Sequence, residues 1–316
     1  MVELKVGTVV RTQKLSSILA TFCLAPESGS RFPDYEPGQY IALRRDHCRL
    51  TKQAAGPDGR RRYVPDLDPS GNPKLGPVTH SYSIASAPFE SQENGHLEFY
   101  IVLEKDEYGT LGRLSSSFLD MNPSTDDKVI YVNRITGNFT LGRTAKGFGS
   151  VLLIGTGTGL APFVSMIKQL HFEACRERGA NGIQYTLVHT NRTYQELAYH
   201  QELLAIEASG RFDFVYIASV SRPAARDVDD PGLGRGRANN LLRHMFGMPL
   251  KEEEELRAMQ ASGEDTSRAR AALENTTVPV LPRHISRDEL QKRFDPARTV
   301  ILTCGNPSSM ADTGKE

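Results

Sequence analysis

Three short segments of this chain carry residues whose types and spacing could do chemistry. In the first, Gly155, Gly157 and Gly159 alternate with Thr156 and Thr158 directly after an apolar run, in the string VLLIGTGTGLAPF. Glycines in such a turn let backbone N–H groups approach a pyrophosphate with no Cβ in the way. A helix that begins there adds the favourable partial charge of its N-terminus. The segment predicts a phosphate-binding loop, and a tight strand–helix turn is the structural alternative.

The other two segments are a thiol at a strand end and a strand of alternating polar and aromatic residues. Cys304 ends the apolar run TVILTC and is followed by Gly305, Asn306 and Pro307. Taken alone, a cysteine in a strand is usually a small buried hydrophobe. The string HSYS, at residues 80–83, is by itself typical of an edge strand. The order of the three segments along one chain is therefore more informative than any one of them.

These segments must be positioned by two different kinds of architecture. Strand-like runs separated by turns fill the first half of the chain, which favours a small antiparallel barrel. The predicted strands are 6–11, 20–24, 39–43, 80–85, 97–103 and 128–132. In the second half strands alternate with helices, which favours a doubly wound parallel sheet. There the predicted strands are 151–154, 185–188, 212–220 and 299–303, and the predicted helices are 161–178 and 194–207.

The predicted boundary falls near residues 144–149, so that one domain covers 1–146 and the other 147–316. Two stretches have the composition of insertions, 44–78 and 223–283. The second contains KEEEELRAMQ and TSRARAALEN, both rich in good helix formers. Surface decoration is one interpretation of the insertions, and a lid or docking surface is the other.

In combination, the string HSYSIAS, the loop GTGTGLAPF and the terminal CGNP resemble the ferredoxin–NADP⁺ reductase family. The resemblance implies a six-stranded FAD-binding barrel followed by an α/β NADP-binding domain, with the substrate cleft between them. It also implies hydride transfer between NADP(H) and FAD, followed by single-electron transfer to or from a separate ferredoxin or flavodoxin.

On the flavin side, the resemblance assigns roles to residues of the HSYS string. Tyr82 matches the aromatic that packs on the isoalloxazine, and Ser83 matches the hydroxyl that hydrogen-bonds flavin N5, with Ser81 beside them. His80 stands where the family has an arginine that pairs with the FAD pyrophosphate. Since an imidazole lacks the guanidinium fork and is only partly charged near neutral pH, we expect weaker and more pH-dependent FAD binding.

A second group of flavin contacts is implied further along the chain. Arg113 is the replacement cation for the pyrophosphate, and an exposed loop arginine is the alternative. The remaining implied FAD contacts are Tyr100, Ile101, Val102, Leu114, Ser115 and Thr158.

On the nucleotide side, the resemblance places NADP along the loop from Gly155 to Gly159 and beside Cys304 and Gly305. The thiol of Cys304 would help to set the hydride geometry, which is a positional role. Three arginines resemble a clamp for the 2′-phosphate, which favours NADP over NAD. The clamp residues are Arg192, Ser221, Arg222 and Arg237, with Arg235 as the alternative to Arg237.

Composition excludes several other classes. The chain has 316 residues, and its 38 basic and 38 acidic side chains cancel, so no global field favours nucleic acid or an anionic membrane. The four cysteines, which are far apart and form no CxxC pair, predict neither zinc nor an iron–sulfur cluster. We find no signal peptide and no apolar run long enough to cross a membrane. The separated cysteines favour a reducing compartment, so a cytoplasmic location is predicted. The protein is also predicted to be a monomer.

Two departures keep other functions open. The family continues past Met310 with a helix and often an aromatic tail, whereas this sequence stops at Glu316. We therefore expect either a shortened C-terminus or an insertion that covers the flavin. The alternatives are a reductase component of an oxygenase or haem system and a non-catalytic subunit of an electron-transfer complex.

Overall fold

The structure, a computed structural model, describes residues 3–57, 59–176 and 182–305. Its backbone forms two compact units, Met1–Thr140 and Leu141–Glu316. The first contains an antiparallel sheet and the second a parallel sheet flanked by helices. The predicted fold class is confirmed.

A six-stranded antiparallel sheet forms the first unit, in the order β6-β3-β8-β1-β2-β7. A backbone hydrogen bond from Ala85 to Glu98 links the end of β6 to β7, so the sheet curls into a half-barrel. Strands β4 and β5 form a separate hairpin. The elements are β1 (Leu4–Lys14), β2 (Leu19–Ala25), β3 (Tyr40–Arg49), β4 (Thr51–Ala55), β5 (Arg61–Pro65), β6 (Leu75–Ser83), α1 (Pro88–Asn94), β7 (Leu97–Val102), α2 (Arg113–Leu119) and β8 (Lys128–Thr136).

The core of this unit follows from the alternation of its strands, since successive side chains point to opposite faces. Ile41 and Leu43 of β3 are fully buried on the inner face. The ring of Phe22 stacks on Phe99 with centroids 5.0 Å apart and contacts Phe118 of α2 at 5.1 Å. Helix α2 thereby covers the sheet beside β3 and β6.

A five-stranded parallel sheet forms the second unit, in the order β12-β11-β10-β9-β13. Its central strands are almost continuously buried, as expected for a sheet covered on both faces. The elements are α3 (Leu141–Thr144), β9 (Ser150–Thr156), α4 (Leu160–Arg176), β10 (Gln184–Asn191), α5 (His200–Ser209), β11 (Phe214–Val220), α6 (Ala225–Val228), β12 (Gly234–Arg235), α7 (Ala238–Phe246), α8 (Lys251–Ser262), α9 (Ser267–Glu274), α10 (Arg287–Arg293) and β13 (Thr299–Cys304).

The stretch 223–283 is not a simple insertion, because part of it belongs to the scaffold. It supplies the edge strand β12 and helix α7, whose Leu241 and Met245 are fully buried in the core beside the central strands. Helices α8 and α9 are the more exposed part. The buried Asn240 Nδ2 donates to Glu252 Oε2 at 2.7 Å and so fastens α8 to α7. The stretch 44–78 lengthens β3 and β6 and contains the β4–β5 hairpin.

The helix predicted over 194–207 is wrong in its first part. Residues Tyr194–Glu196 form a single 3₁₀ turn, and Tyr199 has a positive φ of 60°, so α5 begins only at His200. A hydrogen bond of 2.6 Å from Asn191 Nδ2 to the Glu196 carbonyl holds the chain in this turn. Helix α4 was predicted to reach residue 178, and the last two of those positions lie outside the described residues.

Two further structural findings concern the described residues alone. None of the helices there is both long and apolar enough to cross a membrane. No group of three or more histidine, cysteine, aspartate or glutamate side chains there is arranged to hold a metal ion.

Candidate functional site

The predicted phosphate loop connects β9 to α4. Strand β9 ends at Thr156, Gly157–Gly159 form one 3₁₀ turn, and α4 begins at Leu160. Gly157 has a φ of +56°, and nothing lies within 4 Å of the position that a Cβ would take. The turn therefore presents bare backbone and open space at the start of a 17-residue helix. A pyrophosphate would fit such a loop, and its binding there remains a prediction.

The strand end that carries the thiol packs directly on this loop. In the sheet, Cys304 of β13 pairs with Gly155 of β9. A Cβ on Gly159 would overlap the Cys304 carbonyl, and a Cβ on Gly305 would overlap Thr156 Oγ1. Two segments about 150 residues apart in sequence thus lie side by side at the carboxyl edge of the parallel sheet. Asn306 and Pro307, the rest of the CGNP string, lie outside the described residues.

The Cys304 thiol is half-buried. Burial raises its pKa, and a hydrogen bond from the Gly305 backbone opposes the shift. A raised pKa favours the neutral thiol over the nucleophilic thiolate. The environment of Cys304 is therefore compatible with the predicted positional role.

At the carboxyl ends of β10 and β11, three of the four predicted clamp residues come together, namely Arg192, Ser221 and Arg222. The Ser221 backbone donates to the Asn191 carbonyl at 3.0 Å, and the Arg222 backbone donates to the Arg192 carbonyl at 2.8 Å. The chain after β10 and the chain after β11 therefore run side by side. The Arg222 side chain is exposed.

Arg192 has an acidic partner that sequence reasoning missed. Its Nε donates to Glu196 Oε2 at 3.1 Å, and its Nη2 donates to Oε1 at 2.6 Å, a bidentate pair. The Arg192 side chain is 40% exposed, whereas that of Glu196 is 6% exposed. The sequence signal for this ion pair is the spacing of four residues between Arg192 and Glu196, which is typical of ion pairs on a helix. In the structure Glu196 lies in a 3₁₀ turn and not in the predicted helix.

The third predicted arginine follows the next strand along the sheet. Arg237 is exposed and directly precedes α7. Gly236 before it donates to the Val220 carbonyl at 2.9 Å and accepts from Ser219 Oγ at 2.9 Å, which fixes Arg237 near the end of β11. The alternative residue, Arg235, is half-buried, and its backbone pairs with Val280.

On the predicted flavin strand, exposure changes along β6. His80 and Ser81 are exposed, and Tyr82 and Ser83 are half-buried. The Tyr82 ring meets Phe118 of α2 edge-on, with centroids 5.5 Å apart. Burial raises the pKa of the Tyr82 hydroxyl, and the negative charge of Glu104 raises it further. Tyr82 therefore remains neutral at physiological pH.

The second predicted flavin group is only partly available to a ligand. The side chains of Tyr100 and Ile101 are buried in the unit, and Val102 is half-buried at the end of β7. Backbone contacts from this edge strand remain a prediction.

The Arg-Leu-Ser segment at the start of α2 differs from the expectation. Leu114 is 1% exposed and Ser115 is 2% exposed. The Ser115 hydroxyl donates to the Gly112 carbonyl at 3.2 Å and accepts from the Glu104 backbone at 3.2 Å. The Ser115 hydroxyl therefore links the two ends of the loop 104–112, and Leu114 belongs to the core of the unit. Arg113, which is half-buried, is the cation that this segment presents.

Comparisons with known proteins agree with this arrangement. Residues 153–256 match the family described as "Oxidoreductase NAD-binding domain". A flavohemoprotein from Bordetella pertussis is 28% identical over 232 residues, 69% of this chain and 49% of the relative. Ferredoxin–NADP reductase A from Sorangium cellulosum is 32% identical over 155 residues, 47% of this chain and 49% of the relative. This chain thus spans about half the length of the curated relatives it matches.

Among solved structures, a ferredoxin–NADP⁺ reductase from Neisseria gonorrhoeae with bound FAD and NADP has the same fold. The superposition has a TM-score of 0.57 at 19% identity, and it covers all of this chain and 90% of the reductase.

The parallel sheet, its glycine cradle and the matched NAD-binding domain define an oxidoreductase. Within that class, the chain has the fold of a ferredoxin–NADP⁺ reductase, and about half of its sequence is similar to one. The predicted resemblance is therefore confirmed for the fold and for the NAD-binding domain, together with the oxidoreductase class. FAD and NADP(H) are named for the Neisseria gonorrhoeae structure and enter the proposal below for this chain. The individual site residues remain predictions.

Proposed function

We propose that this protein transfers hydride between NADP(H) and FAD, and then passes single electrons to or from a separate carrier protein. When bound, the two cofactors supply the hydride and one-electron chemistry. The contribution of the chain is to bind them, to orient them and to exclude water.

The observation that carries the proposal is the junction of the glycine loop with the end of β13. Gly157 offers open backbone at the start of α4, while Gly159 packs against the Cys304 carbonyl. The backbone N–H groups of the loop would hold the nucleotide pyrophosphate. The neutral thiol of Cys304 would limit the positions open to the nicotinamide.

On the first unit, the exposed part of β6 and the start of α2 fit a flavin nucleotide. Tyr82, whose ring is nearly perpendicular to that of Phe118, would pack on the isoalloxazine. Ser83 would hydrogen-bond N5, because a hydroxyl can both donate and accept as that atom gains or loses a proton. Arg113 and His80 would face the FAD phosphates.

An anaerobic visible-light titration tests the proposal. We expect purified protein with bound FAD to be yellow, and NADPH to bleach it at a lower concentration than NADH. Protein that is colourless, and that takes up no added FAD, would overturn the proposal and favour the non-catalytic subunit.

Haem is a second candidate acceptor, because the curated relatives include flavohemoproteins that match 69% of this chain. Mixing the NADPH-reduced protein with ferredoxin, flavodoxin and a ferric globin would separate the candidates. Fast reduction of ferredoxin or flavodoxin supports the first proposal, and fast reduction of the globin alone supports the second.

Two finer predictions belong to the same proposal. The protein is predicted to act as a monomer, which sedimentation analysis would test. A cytoplasmic location is predicted from its four free cysteines, Cys23, Cys48, Cys175 and Cys304. Labelling of those thiols in intact and permeabilised cells would test the location.

A further inference from the structure

Glu196, which was not among the predicted site residues, can influence the preference between NADP(H) and NAD(H). It lies in the 3₁₀ turn after β10, and its carboxylate is bonded side-on by Arg192 at 2.6 and 3.1 Å. Arg192 is one of the residues predicted to recognise a 2′-phosphate. Arg192, which is predicted to bind the 2′-phosphate, is thus already paired with a carboxylate.

The local structure holds Glu196 firmly. Asn191 Nδ2 donates to the Glu196 carbonyl at 2.6 Å, and the Ala198 backbone donates to the same carbonyl at 3.0 Å. The Glu196 side chain is 6% exposed, whereas the Arg192 side chain is 40% exposed. Glu196 is therefore the fixed member of the pair, and Arg192 is the member that reaches solvent.

The geometry divides the guanidinium into two edges. Nε and Nη2 face Glu196, which leaves Nη1 on the edge away from the carboxylate. A guanidinium has five N–H donors, so one group can bind it side-on while another binds it from the end. The 2′-phosphate could therefore reach Arg192 without displacing Glu196, but it would meet a pair whose net charge is close to zero.

We propose that Glu196 is a specificity-determining residue, which moderates the preference for NADP(H) over NAD(H) by partly neutralising Arg192. This inference rests on the proposed function. A 2′-phosphate carries up to two negative charges, whereas the 2′-hydroxyl of NAD carries none. The Glu196 charge therefore penalises one nucleotide and leaves the other nearly unaffected.

The test is binding of two adenosine fragments, 2′,5′-ADP and 5′-AMP, measured by calorimetry on the full chain at low salt. Glu196→Gln removes the charge and keeps an oxygen that can accept from Arg192. We expect it to tighten 2′,5′-ADP by about tenfold and to leave 5′-AMP within about twofold. Glu255→Gln, which removes an exposed charge of α8, is the matched control and should change neither affinity.

A double-mutant cycle shows whether the effect passes through Arg192. In the Arg192→Gln background, Glu196→Gln should no longer change the preference by more than about twofold. An unchanged or reduced preference for 2′,5′-ADP in Glu196→Gln would overturn the inference, and so would an effect that persists without Arg192. If neither fragment binds the unsubstituted chain, the proposed function itself fails, which is a distinguishable result.

Discussion

The nucleotide-loop end of the parallel sheet and the flavin strand of the antiparallel sheet are built in different ways. At the first, backbone packs on backbone, so that Gly159 lies against the Cys304 carbonyl and Gly305 against Thr156. At the second, His80 and Ser81 project from an edge strand and are exposed. One region is defined by the absence of side-chain atoms, and the other by the side chains it presents.

The difference predicts how each region responds to change. A closely packed backbone cannot accept an added atom without moving, since interiors are packed as densely as crystals. An exposed strand side chain can change with little effect on the fold while it alters what the strand binds. Substitutions at the loop should therefore affect folding and binding together, whereas substitutions on β6 should separate them.

The largest effect should come from Gly159→Ala. The new methyl would overlap the Cys304 carbonyl, and neither backbone segment has a flexible side chain that could give way. We expect the second unit to lose about 3 kcal/mol of unfolding free energy, and nucleotide affinity to fall by more than about tenfold. Urea unfolding and calorimetric binding of 2′,5′-ADP would measure the two effects.

Gly142→Ala is the matched control for that substitution. Gly142 lies in the short helix α3 of the same unit, and nothing is within 4 Å of its Cβ position. Alanine there should be neutral or should stabilise by about 0.5 kcal/mol. Comparable losses in the two variants would contradict the contrast between the packed loop and the exposed surface.

Beside the glycine loop, the parallel sheet contains the buried His189, which predicts that the stability of the fold depends on pH. His189 pairs with Gly155 in the sheet, and its Nδ1 lies 3.0 Å from the Tyr216 hydroxyl. Burial lowers the pKa of His189 to about 3, with a further contribution from His200, whose own pKa is lowered by burial.

The sign of the effect follows from the lowered pKa. Below about pH 6.5 the unfolded chain binds a proton at His189 that the folded chain refuses, so stability is present at neutral pH and is lost as the pH falls. Between pH 7 and pH 5 this one group should remove about 2 kcal/mol. Urea unfolding at several pH values in that range should show that the unfolding free energy falls less steeply with falling pH in His189→Gln. An equally steep fall in both proteins would contradict the assignment, whatever the absolute stability of the variant.

Much of the structure of the two regions could be predicted from the sequence, because it depends on local residue patterns. Alternation along strands gave the six strands of the antiparallel sheet, and the glycine spacing located the loop. The contact between Gly159 and Cys304 was not predicted, since nothing local specifies it and the family resemblance implied only that both segments lie beside the nucleotide. The turn at Tyr199 was missed because it depends on Asn191, which bonds across the turn and outweighs the helical propensity of 194–207.

Substitutions of Tyr82 test the other region, the flavin strand β6. Tyr82→Ala removes the ring that contacts Phe118 and should cost the first unit about 2 kcal/mol, and FAD content should fall. Tyr82→Phe keeps that contact and should cost less than about 1 kcal/mol. Flavin absorbance per protein and urea unfolding would measure both variants. If the phenylalanine variant lost FAD as fully as the alanine variant, the hydroxyl would matter more than the ring.

The smallest effect on stability, and the clearest separation of folding from binding, should come from His80→Arg. His80 is exposed on β6, so the free energy of unfolding should change by less than about 0.5 kcal/mol. A guanidinium can bind two phosphate oxygens side by side, whereas an imidazole cannot copy that fork. FAD binding by His80→Arg should therefore be tighter than FAD binding by the unsubstituted chain. Fluorescence titration of the two apoproteins with FAD would show this, and equal dissociation constants would mean that His80 does not face the FAD phosphates.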